Sequence, residues 1–265
     1  RLFHKPETLE LRRADEVLDG VELLIVHTLY RYHAHWAREQ ACRRGIPYWV
    51  LVHGGLDPYV LSYRRFRKMR WLRHFGQGYL RGAERVLFAT RRERGKAAPF
   101  LDGVATETLL WPVEPVSPAN SGKSRVAWRK EFGIGAGERL LLYLGRLQKA
   151  KRPIEIVEAF RLAEASNLHL VLAGPGETYS PEDLRHLVQM MGVNRVHVPG
   201  PVYRWRKDGL LFAADGLISL SAKENFNLAA TEAMSAGLPV ILSPGNDLQD
   251  ELDGADCGWL LESDD

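Results

Sequence analysis

The chain has 265 residues, 45% of them hydrophobic and 26% charged, an ordinary globular composition for one large domain or two small ones. No apolar run reaches the roughly 18 residues of a membrane-spanning helix. Cys42 and Cys257 stand far apart without a CxxC pair or Cys/His cluster, which argues against a disulfide framework or structural zinc and for a reducing cytoplasm.

The formal net charge of +3 is unevenly spread, with +7 on residues 1–117 and −4 on residues 118–265, as expected for two units with different partners. No signal peptide is visible, and the sequence opens at Arg1 rather than Met.

In chain order, Glu22–Val26 reads as a short strand leading to His27, Arg31–Arg44 as a helix stopped by Gly45, and Tyr48–Val52 as a strand ending at His53-Gly54-Gly55. A long basic helix is expected over about Leu61–Leu80. A strand at Arg85–Ala89, a short helix near Arg91–Phe100 and a strand at Thr106–Trp111 follow. This β-α alternation predicts a parallel sheet. Pro112–Lys123 is rich in Pro, Ser, Gly and Asn and reads as an interdomain linker. Its Ser-Gly-Lys-Ser lacks the first Gly of a phosphate-binding loop and follows no apolar strand, so it is set aside.

The alternation then restarts. Ser124–Phe132 is a helix, Leu140–Leu144 a strand ending at Gly145-Arg146, and Pro153–Ala165 a helix. Leu168–Ala173 is a strand followed by Gly174-Pro175-Gly176, Pro181–Met191 a helix, Val196–Val198 a strand and Trp205–Ala214 a helix. Two such halves predict two Rossmann-like domains, 1–117 and 118–265, with sites in the cleft between them.

The organising stretch is Gly216–Pro244. It reads as a strand at Leu217–Leu220, a helix at Leu228–Ala236 and a strand at Leu238–Leu242. Between strand and helix sits Lys223-Glu224-Asn225-Phe226-Asn227, at a strand's carboxyl end, where ligands bind in α/β sheets. The N–H groups of Asn227, Leu228 and Ala229 would open the helix and suit a phosphate. Glu224 and Glu232, with seven residues between them, are acceptors suited to a polyhydroxyl ligand; on spacing alone, two solvated carboxylates are the simpler reading. Likewise Arg146 and Lys151, five residues apart, suit either a diphosphate or a solvated basic loop.

Glu224-Asn-Phe-Asn-Leu with Glu232-Ala-Met-Ser-Ala-Gly-Leu-Pro-Val resembles the Glu-x7-Glu signature of family 4 retaining glycosyltransferases, which have the GT-B fold. Gly145-Arg146-Leu147 with Lys151 resembles that family's GRLxxxK segment, and Gly174–Gly176 and Gly200-Pro201-Val202-Tyr203 resemble its AGxG and GPV turns. Two departures stand out: Asn227 and Arg152 occupy positions where the family often has Gly. Asn tolerates φ > 0, which would preserve the loop. His53-Gly-Gly-Leu-Asp-Pro and His27-Thr-Leu-Tyr-Arg-Tyr-His33 resemble the HGMLDP and HGLWxxH segments of exopolysaccharide and lipopolysaccharide sugar transferases, although a lone strand-end His is more often structural.

The resemblance implies transfer, with retention, of a sugar from a UDP- or GDP-linked donor to a glycan or lipid-linked acceptor, without a metal or separate cofactor. It implies that Arg146 and Lys151 hold the diphosphate, Glu224 the hexose and Glu232 the ribose. Gly145, Val202, Tyr203, Phe226, Asn227 and Leu228 would complete the donor site. His53 would lie beside the transferred sugar, with His27, His33 and Arg91 on the acceptor side. A nucleotide-sugar 2-epimerase or phosphorylase on the same fold, or a non-catalytic nucleotide-sugar-binding module, are the alternatives. Against the family pattern, the N-terminal domain reads as incomplete, with no first strand and Gly-rich loop before Leu2 and no closing helix after Asp265. Asp264-Asp265 does not qualify as a metal-binding DxD.

Tyr63–Arg73 interleaves six cations with Phe66, Met69 and Trp71. It reads as a solvated helix, a nucleic-acid contact or an anionic membrane-surface helix. The resemblance favours the membrane, and with it a cytoplasmic, peripheral location and no nucleic-acid partner.

Overall fold

Every strand pair in the computed structural model, which describes residues 18–116 and 121–263, is parallel. Parallel neighbours need a crossover between them, and the alternation of short apolar runs with helices supplies it. The chain divides into two compact units between Trp111 and Pro112.

The first unit holds β1 (Leu24–His27), β2 (Tyr48–Leu51), β3 (Arg85–Phe88) and β4 (Thr106–Thr108), side by side in chain order. Helix α1 (Tyr32–Arg44) carries the chain from β1 to β2 and stops at Gly45, whose left-handed φ of 67° suits glycine. Val50, Val86 and Phe88 from the strands pack with Ala34, Tyr79 and Leu80 in the core. β4 is shorter than the sequence suggests. Leu109 makes the last ladder bond, to the Phe88 carbonyl, and β3 ends there.

The expected long basic helix is instead broken into α2 (Pro58–Ser62), α3 (Arg65–Trp71), a π-helical turn over Leu72–Gly76 and α4 (Gln77–Arg81). Asp57 starts α2 early by accepting the Tyr59 N–H at 2.8 Å. Tyr63 is then extended and Arg64 left-handed, with φ 53° and ψ 38°, which ends one helix and begins the next. A β-carbon on Gly76 would lie 2.6 Å from the Trp71 ring, so only glycine fits the π turn beneath that indole.

Among the described residues the second unit has six strands, in the order β10-β9-β8-β5-β6-β7. They are β5 (Arg139–Leu144), β6 (Leu168–Ala173), β7 (Val196–Gly200), β8 (Gly216–Ser219), β9 (Val240–Leu242) and β10 (Gly258–Leu260). The helices are α6 (Ser121–Glu131), α7 (Pro153–Leu162), α8 (Pro181–Met190), α9 (Trp205–Ala213), α10 (Leu228–Ser235) and α11 (Gln249–Leu252).

Helix α6 begins three residues before the expected start, so residues 121–123 open a helix rather than close a linker. Residues 117–120 of the expected linker, the segment at Leu2 and the Asp264-Asp265 pair lie outside the described residues. Ser180 and Asp183 form a reciprocal capping box at the start of α8. Arg129 of α6 meets Asp215 at 3.2 Å, and that carboxylate also accepts the Leu140 N–H at 2.8 Å, tying helix to sheet. The strip α11 and β10 has no counterpart among the expected elements, because four- and three-residue pieces carry too little periodicity to stand out.

Candidate functional site

The strand order of the second unit reverses direction at one place. The chain runs outward through β5, β6 and β7, then returns to lay β8 against the other side of β5. Loops leaving the carboxyl ends of β5 and β8 therefore diverge and open a crevice, the switch point at which α/β sheets take ligands. The first of these loops is Gly145–Lys151 and the second Leu220–Asn227.

Backbone ties and one close approach set the shape of this crevice. The Ala222 N–H donates to the Ala150 carbonyl at 2.9 Å, joining the two loops. Leu147 donates to Pro175 at 2.9 Å and accepts from Thr178 and Tyr179, which zips the first loop to the one after β6. Gly174 stands where these loops touch: a β-carbon there would lie 1.7 Å from the Gly145 carbonyl oxygen.

Four lysine or arginine side chains meet carboxylates around the crevice. Lys151 contacts Glu224 directly across the switch point, both largely buried. Arg146 meets Glu177 at 2.6 Å, Lys223 meets Asp247 at 2.9 Å and Lys207 of α9 meets Glu232 of α10 at 2.6 Å. Burial pushes the Lys151 ammonium down to about 8, with Arg146 and Lys223 adding repulsion and Glu177 opposing it. Contact with Glu224 favours its charged form. The two glutamates singled out by spacing thus face separate lysine partners, Lys151 from β5's loop and Lys207 from α9.

Asn227 opens α10 in the left-handed region, with φ 62° and ψ 70°. Its side-chain oxygen accepts the Ala230 N–H at 3.2 Å, and its amide nitrogen donates to Ser219 and to the buried Asn246. Where glycine would supply only the turn, Asn227 supplies the turn and a helix cap. Arg152 is left-handed as well, with φ 54°. Both departures from glycine therefore sit at backbone positions that favour glycine. Phe226 and Val202 are buried, whereas Leu228 and Tyr203 are exposed.

The first unit has its own cluster at the carboxyl ends of its strands. His27 ends β1, and His53 follows β2 in a left-handed conformation. Their rings stack 5.1 Å apart, with His27 Nδ1 2.9 Å from His53 Nε2. His33 Nε2 lies 2.7 Å from the His27 carbonyl oxygen, which it reaches as a donor. Partial burial and neighbouring His27 hold His53 below the usual imidazole range. Trp111 packs its ring 5.5 Å from His53. Arg91 opens α5 (Arg91–Ala97) and lines a cavity with Arg94 and Asp102.

Several residues around these clusters were not expected from sequence. Lys207, Glu177 and Asp247 reach their partners only through the fold. Glu93 is buried and accepts N–H bonds from Gly54 and Ala89, bracing the turn that carries His53. Its Thr90-x-x-Glu93 spacing is a capping signature that makes it legible in retrospect. Among the described residues no group of three or more His, Cys, Asp or Glu side chains is placed to hold a metal, and no helix is long and apolar enough to cross a membrane.

Residues 124–265 match the family model described as glycosyl transferases group 1. Over 139 residues the chain is 29% identical to the N-acetyl-alpha-D-glucosaminyl L-malate synthase of Bacillus anthracis, an alignment covering 51% of this chain and 35% of that protein. The chain spans about a third of the length of the curated relatives it matches. Among solved structures, the sucrose-phosphate synthase of Thermosynechococcus elongatus superposes with a TM-score of 0.77 at 21% identity, covering 97% of this chain and 64% of that one. Anabaena HepE in complex with UDP and glucose gives 0.70 at 16% identity, covering 98% and 71%. At such identities the likeness establishes the fold, an α/β architecture of GT-B type with parallel sheets.

Proposed function

The chain belongs to the group 1 glycosyl transferases, and on that premise we propose that it moves a sugar from a nucleotide-diphosphate sugar to a glycan or lipid-linked acceptor with retention of configuration. One observation carries the reading. Lys151 and Glu224 meet at the switch point of the second unit, beside Arg146 and the start of α10. A diphosphate placed there receives two cations and the N–H groups of a helix start.

In this reading Arg146 and Lys151 neutralise charge on the departing nucleoside diphosphate, which is electrostatic stabilisation by groups already in place. Glu224 exchanges its contact with Lys151 for hydroxyls of the hexose as the diphosphate takes Lys151. Glu232 receives the ribose hydroxyls, and Val202 and Tyr203 flank the base. His53, Arg91, His27 and His33 belong to the acceptor side. HepE, similar in fold, was crystallised with UDP and glucose, which supports a UDP-linked donor. The basic stretch around Arg64 supports a cytoplasmic protein that rests peripherally on an anionic membrane.

A thermal-shift comparison of UDP-, GDP- and ADP-sugars tests the reading, because a ligand of the native state raises its stability. One nucleotide series should raise the melting temperature, and product analysis with that donor should show anomeric retention. No shift with any of the three sinks the proposal.

A further inference from the structure

The loop after β9 reaches back to the crevice at the switch point. Its Gly245, Asn246 and Asp247 lie against the loop after β8, where Glu224 pairs with Asn246 in an isolated parallel bridge. The Glu224 N–H donates to the Gly245 carbonyl at 2.9 Å, and the Asp247 N–H donates to the Glu224 carbonyl at 2.7 Å. Both backbone polar groups of Glu224 are thus engaged by one short segment, beyond the ends of β8 and β9. A residue held this way projects its side chain across the bridge rather than along it. The backbone, and not the Lys151 contact alone, therefore sets where the Glu224 carboxylate stands. The two loops approach closely, for a β-carbon on Gly245 would lie 2.2 Å from the Ser221 carbonyl oxygen.

Asn246 fixes that segment. It is 0% exposed, and its side chain joins three pieces of the fold. Its amide nitrogen donates to the Ser219 carbonyl at 3.1 Å and to the Ser243 hydroxyl at 3.0 Å, and its amide oxygen accepts from Asn227 at 2.6 Å. Ser219 ends β8, Ser243 follows β9 and Asn227 caps α10. Asp247, equally buried, meets Lys223 at 2.9 Å. That contact engages the lysine next to Glu224 in sequence and leaves Lys151 as the partner of Glu224. Apolar side chains could fill such a space with no loss of stability. What hydrogen-bonded amides add is one fixed arrangement, since a shifted member leaves a buried polar group unpaired. The network stands at the carboxyl ends of β8 and β9, the end of the sheet where the ligand crevice opens.

We propose that Asn246 is a positioning residue of the donor site, holding Glu224 and the start of α10 so that the carboxylate meets the hexose in one orientation. The proposal rests on the donor reading of Glu224. Asn246 is too deeply buried to touch a ligand and acts through the Glu224 backbone and through Asn227. It also supplies the acceptor that an asparagine at 227 needs where a glycine would need none. Its loss should therefore carry the signature of Glu224, weakening a nucleotide-sugar more than the free nucleoside diphosphate.

Hydrogen exchange and calorimetry on the whole chain test this with Asn246→Ala and with Asn227→Gly/Asn246→Ala. The double variant removes the amide that Asn246→Ala would leave buried without its partner, and glycine suits the left-handed turn at 227, so it serves where the single variant does not fold. In each folded variant the Glu224 and Asp247 amides should exchange at least about tenfold faster relative to the Leu170 amide of β6. The ratio of UDP-glucose to UDP affinity should fall at least about fivefold, as it should in Glu224→Gln. A merely stabilising role would speed all three amides together and leave the ratio unchanged. Relative exchange equal to wild type overturns the proposal. So does an unchanged ratio where Glu224→Gln lowers it. If Glu224→Gln itself leaves the ratio unchanged, the donor reading of Glu224 fails, and the exchange result alone decides whether Asn246 positions that residue.

Discussion

The ammonium of Lys207 lies 2.6 Å from Glu232, although one belongs to α9 and the other to α10, and both side chains are about three-quarters buried. A ligand that takes hydroxyl contacts from Glu232 must share that carboxylate with a lysine already in place. Glu224 stands in the same relation to Lys151. Both carboxylates are thereby oriented by a lysine before any ligand arrives.

The two glutamates should differ by ligand. Glu232→Gln should weaken the free nucleoside diphosphate and the nucleotide-sugar alike, by about 1.5–3 kcal/mol for a charged acceptor made neutral. Glu224→Gln should spare the free nucleotide and weaken only the nucleotide-sugar and turnover. Calorimetry with both ligands reads the difference. Unchanged affinities in both variants would make them ordinary surface groups and remove the main support for the donor site.

Arg146→Ala should cost about 1.5–3 kcal/mol in nucleoside diphosphate affinity. It also strips Glu177 of its 2.6 Å partner, leaving that carboxylate beside the anion. Glu177→Gln in the same background should therefore recover part of the loss. A double-mutant cycle showing strict additivity would place Glu177 outside the site.

Diphosphate affinity should depend on pH through Lys151. Its ammonium is pushed down to about 8 in the ligand-free chain, so it is charged below that pH and loses its proton above it. Affinity should be flat from pH 6.5 to about 7.5 and fall as pH rises through 8, and Lys151→Met should remove the slope. The stability consequence has the opposite sense. Between about 8 and the unfolded lysine value the unfolded chain binds the extra proton, so this group's contribution to stability rises with pH.

Gly174→Ala should damage the site through the backbone. The new β-carbon would meet the Gly145 carbonyl at 1.7 Å, and neither atom belongs to a flexible side chain. A loss of about 1–3 kcal/mol is expected from overpacking, together with reduced nucleotide affinity as the Gly145–Lys151 loop shifts. Gly137→Ala is the control, since its β-carbon would meet nothing within 4 Å. Thermal melts of both variants decide the matter.

The second unit should lose stability in acid through His197. Its ring stacks on His169, with a 3.0 Å nitrogen contact, and burial with that neighbour pushes it down to about 4. Between the ordinary imidazole value and about 4 the unfolded chain binds more protons, so stability falls as pH drops through that window. Below it Glu138, held low by the Gly135 N–H, adds to the loss as it protonates. His197→Gln should flatten the melting temperature between pH 6.5 and 4.5. A wild-type melting temperature constant over that range would contradict the assignment.

By itself the sequence determined the alternation of strands and helices, the parallel sheets that follow from it, and the glycine-bearing turns at strand ends. Each of these is a local pattern: side-chain periodicity, a cap or a turn residue acts over a few positions. Even the glycine-to-Asn departure at 227 was legible, because tolerance of positive φ belongs to the residue. What only the tertiary structure decided is which charges meet. Lys151 with Glu224, Lys207 with Glu232 and Lys223 with Asp247 come from elements that sheet order makes neighbours, and no periodicity encodes sheet order. The broken basic helix has the same lesson in reverse. Local composition favours a single helix, yet the backbone turns at Tyr63-Arg64, and the buried Trp71 ring packs against Gly76 in a π turn, because burying the core outweighs the small propensities of individual residues.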